Sequence, residues 1–181
     1  MEVINLTLPG LKLCKPRVFA DNRGFFLESY QEARYREAGI DCAFVQDNHS
    51  RSGKDTLRGL HYQSQPGQAK LIRVASGRIF DVAVDIRPDS PTFGKWEGVY
   101  LDGEQHHQLF IPVGFAHGFC VVSESADVLY KASNVYNAAT ECSIAWNDPS
   151  IGVAWPSTQP NLSARDQQAE SFASLAKRLG R

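Results

Sequence analysis

Arg78-Ile79-Phe80-Asp81-Val82-Ala83-Val84-Asp85-Ile86 is the stretch on which the fold turns. Phe80, Val82, Val84 and Ile86 share one face, while Ile79, Asp81, Ala83 and Asp85 share the other, which is the two-residue period of a β-strand. Ala75-Ser76-Gly77 just before it reads as a turn, and Lys70 to Val74 as the preceding strand, so the pattern predicts a hairpin. Short apolar runs recur at Phe44-Val45, Gly98-Leu101, Gln108-Ile111, Phe119-Val122, Val128-Lys131 and Cys142-Trp146, each bounded by Gly, Pro, Asn or Asp. Helix is scarce. One candidate covers Gln31 to Ala38. A second runs from Ala164 to Leu179, with Ala169, Phe172, Leu175, Ala176 and Leu179 at helical spacing and a capping box at Ser163 and Asp166. The pattern predicts an all-β chain, an antiparallel barrel or jelly roll with short helices, one of them at the C-terminus.

The 181 residues suit one domain, 1–181, which can bury its core without metal or disulfide staples. A net charge of -1, from 19 Lys+Arg against 20 Asp+Glu, provides no global basic field for nucleic acid. Cys14, Cys42, Cys120 and Cys142 are widely spaced without a C-x-x-C pair, which argues against a disulfide framework or a zinc site. Cys120, inside an apolar run, reads as a small buried hydrophobe. The first residues lack the basic start and continuous apolar core of a signal peptide, and no apolar run approaches the ~20 residues that span a bilayer. The expectation is a soluble, cytoplasmic protein with neither a membrane nor a nucleic-acid partner.

Chemistry concentrates in Leu57-Arg58-Gly59-Leu60-His61-Tyr62-Gln63. A histidine exchanges protons at cellular pH if a partner fixes its tautomer, and Asp166 supplies one if the start of the last helix packs over the barrel mouth. The same residues also admit plainer roles, His61 as a structural strand histidine and Asp166 as part of a helix cap. Strict alternation puts Arg58 and His61 on opposite faces, so a shared pocket requires a bulge or bend at Gly59. Lys70 alternates with Ile72 and Val74. It either meets an oxyanion inside the barrel or reaches solvent from the strand end. His117, in the corner Pro112-Val113-Gly114-Phe115-Ala116-His117-Gly118, and Tyr130 each admit a ligand-facing or a structural role. Arg23, Arg58 and Arg165 offer planar donor forks suited to a diphosphate. No Walker or Rossmann glycine loop is present. LRGLHYQ holds a single histidine, and His106 and His107 are adjacent, so a metal-binding His-x-His pair is lacking.

The ordered set DNRGFFLESY, FVQDNHSRS, LRGLHYQ, AKLIRV, FDVAVDIR, SPTFGKW, IPVGFAHGF, LYK, WNDP and LSARD resembles the dTDP-4-dehydrorhamnose 3,5-epimerase family over nearly the whole chain. The resemblance implies a cupin-like jelly roll that needs no metal or other cofactor, acts as a homodimer and takes a dTDP-sugar. It matches His61 to the proton acceptor, Asp166 to its paired carboxylate, Tyr130 to the proton donor and Lys70 to the enolate-stabilising position. Arg23, Phe26, Glu28, Gln46, Asn48, Arg58, His117, Glu141 and Arg165 match substrate-contacting positions, and Tyr136 the aromatic that stacks on thymine. It also implies that the DNRGFF segment reaches into the neighbouring subunit's site.

Overall fold

The computed structural model describes residues 1–181 and arranges them chiefly as two antiparallel sheets. The larger runs β1 (Glu2–Asn5), β2 (Lys12–Lys15), β10 (Gln108–Ile111), β7 (Lys70–Ser76), β12 (Ser125–Ala132), β5 (Gln46–Gly53). The smaller runs β13 (Glu141–Ser143), β6 (Leu57–Gln63), β11 (Phe115–Val121), β8 (Arg78–Asp85), β9 (Trp96–Asp102). A separate exposed hairpin joins β3 (Val18–Asp21) to β4 (Gly24–Leu27). Three short helices complete the chain: α1 (Glu32–Glu37), α2 (Ala164–Gln167) and α3 (Phe172–Arg178). None is long and apolar enough to cross a membrane.

Both predicted strands around Gly77 exist, but they do not form a hairpin. β7 pairs with β10 and β12 in one sheet, whereas β8 pairs with β11 and β9 in the other. The chain turns the corner between sheets at Gly77, whose φ of +80° suits glycine and where a Cβ would lie 2.0 Å from the Ser125 carbonyl oxygen. Alternation within each strand is the same for a hairpin and for such a crossing, so the sequence pattern does not separate them.

Three apolar clusters follow from this layering. Between the sheets, Ile72, Val74, Leu109, Ile111 and Val128 face Ile79, Leu101, Phe119 and Val121. The smaller sheet is covered behind as well: Phe80, Val82, Val84, Leu60 and Tyr62 pack against Ile144, Ile151, Leu175 and Trp155. On the outer face of the larger sheet, Cys14, Leu71 and Phe110 meet Tyr35 of α1 and Ile40.

The expected C-terminal helix is two helices. Gln168 caps α2, and the Glu170 carbonyl then accepts from the Ala145 N–H at 2.8 Å. Ser171 starts α3, its hydroxyl accepting from the Ser174 N–H, while the Asp148 carboxylate accepts from the Phe172 N–H at 2.7 Å. A helix through residues 168–171 would forfeit these non-local bonds, which outweigh the local periodicity. The first helix agrees with expectation, with Gln31 as its N-cap.

Candidate active site

One end of the space between the sheets is polar. Gln46, Asn48, His61, Lys70, Tyr130, Tyr136 and Glu141 line a single cavity there. His61 comes from β6 of the smaller sheet, whereas Lys70, Tyr130 and Asn48 come from β7, β12 and β5 of the larger one. Asn48 lies opposite Tyr130 in register. The two walls of the cavity therefore carry different functional groups.

His61 donates from Nε2 to Asp166 Oδ1 at 2.5 Å, across 105 residues of sequence. Asp166 is buried on α2. Its Oδ2 accepts from the Ser163 hydroxyl at 2.9 Å, and its N–H donates to the Ser163 oxygen at 3.1 Å. Asp166 thus both belongs to the helix cap and serves as histidine partner. Burial opposes its ionisation, but the hydrogen bonds from His61 and Ser163 and the charge of Arg165 outweigh that and hold its carboxyl below the usual range. With Nε2 committed to a carboxylate, Nδ1 is the nitrogen left to take up a proton.

Arg58 and His61 are brought toward one face by a bulge. His117 pairs with His61 and Phe119 with Arg58, so Gly59 and Leu60 together oppose the single residue Gly118. Gly59 has φ +136°, and a Cβ there would lie 2.5 Å from Gly118 Cα. Arg58 donates to the Ser52 hydroxyl at 3.0 Å and is close enough to Tyr130 to favour its phenolate. Burial and the Glu141 charge prevail over Arg58, raising Tyr130 above the ordinary tyrosine value, so the phenol keeps its proton at neutral pH.

Lys70 stands beside Tyr130, its Nζ 5.7 Å from the ring centroid and 3.5 Å from His117 Nδ1. Burial brings the Lys70 ammonium down to about 8, with Asp81 and Glu141 resisting. His117 is itself buried, and burial holds its pKa below the ordinary value, aided by Lys70, so its ring is neutral. Its Nε2–H is shared between the two Asp81 oxygens at 3.0 Å each. The lysine therefore faces inward, as one of the two sequence readings required.

At the rim, Arg165 pairs with Glu141. That pair and the Tyr136 hydroxyl hold the Glu141 carboxyl below its usual range, although burial pushes the other way. The Gln46 side chain donates to Asn48 at 2.9 Å and accepts from the Tyr136 N–H at 2.8 Å. Gln63 Nε2 donates to the Val135 carbonyl at 3.3 Å, and Gln63 Oε1 accepts from the Asn137 N–H at 3.3 Å. Two glutamines thereby pin the loop that presents Tyr136.

Arg23, Phe26 and Glu28 are not brought to this cavity. They belong to the exposed hairpin and the residue that follows it, where Arg23 pairs with Asp21 and Glu28 with Arg34. Phe25 and Phe26 are 60% and 71% exposed, which leaves the hairpin face without cover in a single chain. Asp81 and Gln63 are site residues that the sequence reading did not single out. The signal for Asp81 was a carboxylate set between Ile79 and Ala83 on a strand face that also carries Asp85. No group of three or more His, Cys, Asp or Glu side chains is placed to hold a metal ion.

Comparison with known proteins points to one family. The family model for dTDP-4-dehydrorhamnose 3,5-epimerase matches residues 5–174. The protein of that name from Salmonella typhimurium is 54% identical over 172 residues, covering 93% of this chain and 94% of the relative. Its namesake from Neisseria gonorrhoeae is 51% identical over 178 residues; the match takes in 98% of this chain and 54% of that longer protein. Among solved structures, the dTDP-6-deoxy-D-glucose-3,5-epimerase of Legionella pneumophila, in complex with dTDP-4-keto-L-rhamnose, superposes with a TM-score of 0.92 at 50% identity, with 96% of each chain covered.

Proposed function

Because this chain belongs to the dTDP-4-dehydrorhamnose 3,5-epimerase family, we propose that it is an isomerase that inverts carbons 3 and 5 of dTDP-4-dehydro-6-deoxy-glucose, giving dTDP-4-dehydro-rhamnose for dTDP-L-rhamnose biosynthesis. One observation carries the reading: a histidine on one sheet, paired with a carboxylate from α2, faces a protonated tyrosine and a lysine on the other sheet. Carbons 3 and 5 flank the ketone, so removing a proton from either leaves an enolate. His61 takes that proton on Nδ1 while Asp166 stabilises the imidazolium. Charge moves to the ketone oxygen, where Lys70 is the nearby cation. Tyr130 then returns a proton to the opposite face. Inversion requires acid and base on opposite sides of the ring, and a sugar held between the sheets has one on each.

Asp81 keeps Nε2 of His117 protonated and its Nδ1 as acceptor, so His117 orients Lys70 without competing for positive charge. Arg58, Arg165, Gln46, Asn48 and Glu141 surround the cavity as contacts for the rest of the nucleotide sugar, and Tyr136 offers a face to its base. One domain, 1–181, supplies all of these groups. The uncovered hairpin supports a homodimer in which Arg23, Phe26 and Glu28 complete the partner's site. Four free cysteines support a reducing compartment, the cytoplasm.

The test is proton NMR of dTDP-4-keto-6-deoxyglucose incubated with the protein in heavy water. Deuterium should enter at both carbon 3 and carbon 5, with a rhamnose-configured product trapped by a reductase. Exchange at one carbon restricts the activity to a single epimerisation, and no exchange overturns the assignment.

A further inference from the structure

We propose that residues 163–181 form a clasp around β6, in which Arg178 and Tyr62 are positioning residues that fix the distance between Asp166 and His61. This rests on the epimerase reading of that pair. Asp166 sits on a helix of four residues. A helix so short has little stability of its own, so its place over β6 is set by what holds the flanking chain. On the near side, the Asn161 carbonyl accepts from the Leu57 N–H at 3.0 Å, at the start of β6. On the far side, Glu170 bridges to the chain after β13, Asp148 anchors the first turn of α3, and Leu175 is fully buried in the cluster behind the smaller sheet.

The last anchor returns to the catalytic strand. Arg178 donates to the Tyr62 hydroxyl at 2.7 Å and also pairs with Glu170. Tyr62 directly follows His61, and neighbours along a strand point to opposite faces. One strand is thus held on both sides within two residues: Asp166 engages His61 in front, and Arg178 engages Tyr62 behind. Slack at the rear contact passes through α3 and residues 168–171 to α2. Catalytic geometry is unforgiving, since a displacement of about 1 Å can cost up to ~100-fold in rate. Arg178 itself is on the surface, with a side chain 46% exposed, so its loss need not unfold the protein.

The experiment uses the full chain with Tyr62→Phe, which keeps the ring in its cluster, Arg178→Met, the double variant, Arg178→Lys, and Lys177→Met as an exposed control on the same helix. Each single variant at the clasp should lower kcat by roughly three- to tenfold while KM holds within about twofold, a loss well short of the ~100-fold ceiling. The double variant should be little worse than the poorer single, because both break the same cluster of Arg178, Tyr62 and Glu170. Arg178→Lys should recover part of the loss, and Lys177→Met should match the parent. A second readout needs no substrate: the far-downfield NMR resonance of the proton shared by His61 and Asp166 should broaden or vanish in both single variants and persist in the control.

Unchanged kcat and an unchanged resonance overturn the clasp, even if the melting temperature falls, as do independent losses that multiply in the double variant. If the parent protein is inert toward the substrate yet its resonance responds as described, the clasp stands and the epimerase reading falls.

Discussion

Replacing Asp166 with Asn tests the catalytic pair with the least disturbance of shape. The side chain is 3% exposed, and Asn fills the same volume. Ser163 still finds an acceptor if the amide oxygen takes the place of Oδ2, which turns the amide nitrogen toward His61. What disappears is a charge next to a ring that becomes cationic when it takes a proton. Two unit charges roughly 3.5 Å apart attract by about 5 kcal/mol at an effective dielectric constant of about 20. With the proton about half transferred at the transition state, roughly 2 kcal/mol of stabilisation is lost, or ~30-fold in kcat. An amide N–H aimed at Nε2 also reverses the tautomer and adds to the loss. The assay is saturating turnover together with deuterium wash-in, on protein whose melting temperature shows it folded. A variant whose kcat stays within about threefold of the parent would refute the argument, because the attraction would then be too small to matter.

Tyr130→Phe should abolish epimerisation while leaving deuterium wash-in, since the base remains; normal product formation, followed by reductase-coupled absorbance, would remove Tyr130 as the acid. Lys70→Met should lose roughly 100-fold or more in kcat. It should also be more stable than the parent at pH 7: a lysine brought from 10.5 to about 8 carries its full burial penalty below pH 8 and sheds it progressively as the pH rises from 8 to 10.5. Allowing for the water that reaches this half-buried group, the gain is roughly 2 kcal/mol by urea unfolding. In the parent, kcat/KM should fall above about pH 8 as that lysine loses its charge, and a flat profile to pH 9.5 would contradict the role. Gly59→Ala, which drives a Cβ into the backbone of β11, should cost at least about 2 kcal/mol and displace Arg58 and His61 together, read by urea midpoint and turnover.

What the sequence disclosed depended on how local the deciding interaction was. Alternation at residues 78–86 identifies a strand, and the turn at Gly77 is equally visible, but the partner strand is a long-range matter; the predicted hairpin became a crossing between sheets. Helical spacing from 164 to 179 likewise says nothing of the Glu170 bond to Ala145 that breaks it. The conflict between Arg58 and His61 was legible because it was geometric, and the bulge at Gly59 resolves it. Asp81 was visible as a carboxylate between Ile79 and Ala83, yet only its contact with His117 gives it a purpose. The residues offered the Asp166 pairing only on condition that the last helix packs over the barrel mouth, and the family resemblance singled it out; spacing over 105 residues carries no such information. Arg23, Phe26 and Glu28 carry the same kind of warrant, and a single chain leaves them away from the cavity.

The crossing at Gly77 also bears on how the chain reaches its native state. Successive strands keep changing sheets: β5 lies in the larger, β6 in the smaller, β7 in the larger and β8 in the smaller. The larger sheet sets Leu13 beside Leu109, 96 residues further along the chain. Neither sheet is assembled from one contiguous stretch, so no fragment of half the chain contains a complete folding unit. Such high contact order makes loop closure precede most of the favourable burial, placing the protein among slow folders on a millisecond-to-second scale. Until both sheets close together, the strands that will line the cavity present open edges, and that interval is when the nascent protein is most exposed to aggregation.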